Sequence, residues 1–168
     1  MKKIAFMTLL ALGSFAYGEN VTEARANLVS AKDQKVSGYV KFTQAKEGVE
    51  AFAEIKGLKP GKHGLHIHEH GDCSAPDFST AGAHYNPTDK KHGGPDSEER
   101  LVGDLGNIIA QQDGTAFYER IDSTISLNGP NSIVGRSIVI HSAPDDLISQ
   151  PAGNSGNKIG CGVIEAVK

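Results

Sequence analysis

VSGYVKFTQAKEGVEAFAEI, residues 36–55, carries the pattern that decides the fold. Val36, Gly38, Val40 and Phe42 recur at every second position, and so do Val49, Ala51, Ala53 and Ile55. A period of two sends successive side chains to opposite faces of an extended chain, so both runs are predicted strands with one face on a core. Working outward, further strand-like segments are Ala24–Val29, Gly64–Ile67, Asn107–Ala110, Ala116–Glu119, Ser137–Ile140 and Gly162–Val167. Turn signals separate them: Lys59-Pro60-Gly61, Asp113-Gly114 and Asn128-Gly129-Pro130. No long stretch repeats every 3.6 residues. About eight short strands at this spacing predict an all-β fold, an antiparallel Greek-key barrel or sandwich.

Two stretches interrupt the strands. Gly71 to Val102 is rich in Gly, Pro, Asp, Ser and Lys, and Ser142 to Ile159 is similarly irregular. Loops of this length in a compact domain are commonly functional. These two contain or adjoin most of the histidines.

The amino terminus has a different character. Met1-Lys2-Lys3 is a short basic start, Ile4 to Phe15 is largely apolar, and Ala16-Tyr17-Gly18 places small residues where a signal peptidase reads. That is the layout of a secretory signal peptide over residues 1–18, leaving one domain over 19–168. A membrane anchor would need roughly 20 apolar residues, and this run is well short of that. No later segment is long and apolar enough either. Cleavage removes Lys2 and Lys3 and leaves 15 basic against 20 acidic side chains. That balance, without a basic run to grip phosphates, excludes nucleic acid as a partner. The two cysteines, Cys73 and Cys161, are most simply a disulfide in an exported chain.

Seven histidines carry the chemistry. His66-Ile67-His68 sets two imidazoles on one face of a strand, ready to share a metal. The pattern alone is common, but it is joined by His84 in Gly82–Pro87, His92 in Lys91–Pro95, Asp104 in Val102–Asn107, and His141 at the end of Ser137–Ile140. With these segments in this order, the chain resembles the copper–zinc superoxide dismutase family over essentially all of residues 19–168. Asp145-Asp146-Leu147 and Cys161-Gly162-Val163-Ile164 continue the likeness.

The resemblance implies four copper ligands, His66, His68, His84 and His141. Imidazole suits both oxidation states of copper, and four nitrogens near a plane favour Cu(II). It makes His84 a bridge that also binds zinc, His92 and Asp104 zinc ligands, and Asp145 the carboxylate linking His66 to His92. Superoxide would be disproportionated in two redox steps, with His84 as both ligand and proton carrier. His63 and His70 are not ligands in the family and read as structural and surface residues. Cys73, in Gly71-Asp72-Cys73-Ser74, sits as in the bacterial periplasmic branch, where it pairs with the cysteine near the carboxyl end. Location is therefore expected to be periplasmic or secreted.

Two positions depart from the family pattern. Leu101 stands where the family has a third zinc histidine, so zinc is expected to be weakened or absent. Lys158 replaces an arginine that guides the anion, keeping the charge but not the bidentate fork. A non-catalytic copper-delivery protein on the same fold is the rival reading. Retention of all four copper histidines favours the enzyme. Nothing in the chain chooses between monomer and homodimer.

Overall fold

The computed structural model describes residues 20–168; the expected signal peptide, 1–18, lies outside them. Nine strands follow in order: β1 Glu23–Ser30, β2 Ser37–Ala45, β3 Gly48–Lys56, β4 Gly61–His68, β5 Asp104–Ala110, β6 Ala116–Asp122, β7 Ser137–His141, β8 Lys158–Val163 and β9 Glu165–Ala166. Their sheet order is β2-β3-β6-β5-β4-β7-β8-β1-β9, and a further β1–β2 pairing closes the first eight into a barrel. Every ladder is antiparallel. Among the described residues, closure leaves no long unpaired edge. Because β3 pairs with β6 and β4 pairs with both β5 and β7, the chain crosses the barrel ends in a Greek key.

The alternation that predicted β2 and β3 is the core itself. Val40, Phe42, Val49, Ala51, Ala53 and Ile55 point inward and meet Leu65, Ile67, Ile138 and Ile140 in one buried cluster. Small side chains on β1 and β3 leave room for Phe42 and the isoleucines. No helix among the described residues is long and apolar enough to cross a membrane.

The final strand differs from expectation. Instead of Gly162–Val167, β8 begins at Lys158, inside the stretch read as irregular. Its Gly160-Cys161-Gly162 core shows no apolar alternation because it is pressed between neighbours. A Cβ on Gly160 would lie 2.8 Å from Val36 Cγ1, and one on Gly162 would lie 2.6 Å from Asn27 O. Packing, rather than propensity, decides this strand.

The two irregular stretches cover the outside of β4, β7 and β8. Cys73 is bonded to Cys161 across a separation of 88 residues. Cys161 lies in a second small core with Phe78, Ala81 and Val139. This cluster fastens the first long loop to β8.

Candidate metal centre

Strand β4 is buried on both faces, which is why it could not be read as half-exposed. Leu65 and Ile67 enter the barrel core, while His66 and His68 face the covering loops and are also buried. His141 ends β7, beside them. His84 arrives from the first loop, zipped onto β4 by Tyr85 N–H to Ile67 O at 2.8 Å and Glu69 N–H to Ala83 O at 2.9 Å. A bulge between Gly64 and His66 ends regular β4–β5 pairing and opens the space that the loop fills.

Each ring is oriented by one nitrogen, leaving the other free. His66 Nε2 bonds Asp145 Oδ2 at 2.8 Å, His68 Nδ1 donates to Gly82 O at 2.9 Å, and His141 Nδ1 contacts Gly156 O at 3.3 Å. His84 Nδ1 lies 3.1 Å from Asp104 Oδ1. The remaining His66 Nδ1 and His84 Nε2 are buried without any partner. The remaining His68 and His141 Nε2 atoms are 3.2 Å apart. One donor atom from each of the four rings lies within 4.8 Å of the others. Buried, unpaired nitrogens are costly unless a cation binds there, so this set fits copper. Burial also keeps three of these rings neutral and ready to ligate: it pushes His66 down to about 4, His141 to about 3, and His68 well below its ordinary value.

A second cluster adjoins the first through His84. His92 Nδ1 approaches Asp104 Oδ1 at 2.9 Å, and His84, His92 and Asp104 can offer three ligand atoms to one ion. Asp145 connects the clusters, with one oxygen on His66 and the other on His92 Nε2 at 2.9 Å. Its backbone is held by the Asn107 amide, and a Cβ at Gly153 would collide with its Oδ1. Leu101 is buried beside this cluster and offers no ligand. His63 is buried between the carbonyls of His141 and Lys59, and His70 is exposed; neither joins a cluster.

Three supports were not legible beforehand. Arg100 donates to the Asp104 carbonyl at 2.7 Å and grips Asp122 at 2.6 and 2.7 Å, tying Asp104 to β6. The Gln150 amide clamps the His92 backbone, donating to its carbonyl and accepting from its N–H, both at 2.9 Å. Lys158 Nζ donates to Phe78 O at 3.2 Å and to Gly82 O at 2.8 Å. Gly82 O thus serves both Lys158 and His68. Local sequence carries no signal for any of these, since each depends on which loop carbonyl or amide the fold brings near.

These groups give the metal-free protein a definite pH response. Burial opposes a charge on His92, but hydrogen bonds to Asp104 and Asp145 outweigh it and raise its pKa to about 9. That stabilisation is present below the unfolded histidine pKa of about 6.5 and is lost as pH rises through about 9. His66, His68 and His141 are depressed, so their contribution is present above about 6.5 and is lost on acidification. Burial favours the neutral form of Asp104, but hydrogen bonds to His84 and His92 and from the Gly93 N–H hold it down to about 2, adding to the acid loss. Chelator-treated protein is therefore expected to melt highest near pH ~6.5, falling more steeply on the acid side. A melting temperature unchanged between neutrality and pH ~9 would contradict the His92 assignment.

A cleft of about 460 Å³ reaches both clusters and is lined by His68, His84, His92, Leu101, His141 and Lys158, among others. Comparison with known proteins agrees with this geometry. The family profile for copper/zinc superoxide dismutase (SODC) matches residues 36–164. An extracellular Cu-Zn superoxide dismutase from Brugia pahangi is 45% identical over 138 residues, covering 77% of this chain and 69% of that protein. The crystal structure of the clock protein EA4 superposes with a TM-score of 0.82 at 36% identity, covering 89% of this chain and 98% of that one.

Proposed function

This chain belongs to the copper/zinc superoxide dismutase family, and from that premise we propose a division of labour among its site residues. The reaction is the disproportionation of superoxide to dioxygen and hydrogen peroxide, with copper and zinc as cofactors. Bound copper supplies the one-electron couple. It would be held by His66 through Nδ1 and by His68, His84 and His141 through Nε2. The convergence of the two partnerless nitrogens of His66 and His84 with those of His68 and His141 carries this assignment. When its Nε2 is not on the metal, His84 would hold there one of the two protons that peroxide requires, the other coming from solvent, while its Nδ1 stays on the Asp104 side. His84, His92 and Asp104 take the zinc, and Asp145 orients one ring of each site.

Lys158 supplies the local positive field. Its ammonium is half-buried at the cleft, and burial lowers its pKa from the ordinary lysine value. The chain carries net negative charge, so attraction of an anion depends on such local charge. Residues 1–18 are the export signal, and the extracellular relative and the Cys73–Cys161 bond support a secreted or periplasmic location.

Copper-reconstituted protein assayed over a range of ionic strength tests the reading. The wild type should be active, with a rate that falls as salt rises. Lys158→Gln should be slower by roughly tenfold at low salt and nearly salt-independent. Full copper occupancy without activity would instead support the delivery role, and an unchanged salt slope would assign guidance to another cation.

A further inference from the structure

We propose that the second metal site is open: an ion held by His84, His92 and Asp104 keeps one position for a ligand from the cleft, either water or a small monoanion. The inference rests on those three residues being the zinc ligands. Each offers one atom, and the three atoms lie within 4.8 Å of one another. Zinc in a closed structural site takes four protein ligands, whereas three leave a position that exchanges.

Three polar groups around the cluster are committed elsewhere. The second oxygen of Asp104 accepts from Gly93 N–H at 3.1 Å and from Leu101 N–H at 2.9 Å, which holds it away from the ion. Leu101, buried on that side, has no donor atom. Gln150 uses both ends of its amide on the His92 backbone. Asn86 does the same with Lys90, at 2.9 and 3.0 Å. Among the described residues no fourth His, Cys, Asp or Glu completes the set. His84, His92 and Leu101 all line the cleft, so the missing ligand has a path from solvent.

Charge selects its class. A divalent ion faces one direct carboxylate here, because Asp145 contacts the far nitrogen of His92. With copper reduced and His84 Nε2 protonated, His84 is neutral and one positive charge remains uncompensated, which favours a small anion over a neutral donor.

The test uses holoprotein with copper reduced to Cu(I), which has no visible d–d bands, and Co(II) in the second site. Azide is the probe. Wild-type Co(II) bands should shift and saturate with azide, whereas Leu101→His should leave them fixed. Chelator competition should show Leu101→His gaining at least the roughly 10–100-fold in affinity that even a ligand's hydrogen-bond partner is worth. One cobalt per chain with a spectrum inert to azide would overturn the open position but keep the three-residue site. Failure to bind cobalt at saturation would overturn both. If Leu101→His does not fold, the wild-type titration decides alone.

Discussion

His68→Ala is expected to strip the protein of copper and of more than ~99% of its activity while the barrel and the second metal remain. The ring supplies one of only four convergent nitrogens, and its Nε2 lies 3.2 Å from that of His141. Loss of a ligand costs more than the 10–100-fold typical of a ligand's hydrogen-bond partner. The fold should survive, because β4 is held by backbone ladders to β5 and β7 and by Leu65 and Ile67 in the core. Gly82 O would lose the imidazole but keep Lys158, so this carbonyl is not orphaned. Copper and zinc content per chain, measured beside the dismutation rate, check this. His70→Ala is the matched control: His70 is exposed just past the strand end, and its removal should change neither. Full copper and normal turnover in His68→Ala would remove His68 from the ligand set.

Cys73→Ser is expected to cost about 4–5 kcal/mol of stability. The bond closes a span of 88 residues, and the chain-entropy account scales with the logarithm of that span. The effect should reach the chemistry as well. The same loop carries the Phe78 and Gly82 carbonyls that hold Lys158, and Phe78 packs with Cys161 on β8. Denaturant unfolding of the oxidised protein and the variant gives the first number, and the salt dependence of turnover gives the second. A stability loss under ~1 kcal/mol would mean that the small core of Phe78, Ala81 and Val139 pins the loop without the bond.

The barrel was legible where one strand face meets the core and the other meets solvent or partly buried neighbours. Val40, Phe42, Ala51 and Ile55 announce themselves by period two. Strand β8 did not, because its glycines are chosen for close approach to Val36 and Asn27, partners over a hundred residues away in sequence. The metal ligands were legible as a constellation, since His66 and His68 share a face and the other ligands lie in recognisable segments. What escaped was the scaffold that aims them. Arg100 under Asp104, Gln150 around His92 and the carbonyl shared by His68 and Lys158 are contacts between segments. Side-chain type alone does not say which backbone group a residue will meet.

Asp145 touches a ligand of each site, and His84 belongs to both. Two ions held this way cannot fill their places independently. By thermodynamic reciprocity, whatever factor copper adds to the retention of zinc, zinc must return to copper. The partnership is unequal in what each side can lose. The copper side has four nitrogens of its own, whereas the other side has two nitrogens and one carboxylate. Loss of copper should therefore loosen the weaker ion without emptying its site, because His84, His92 and Asp104 stay in place.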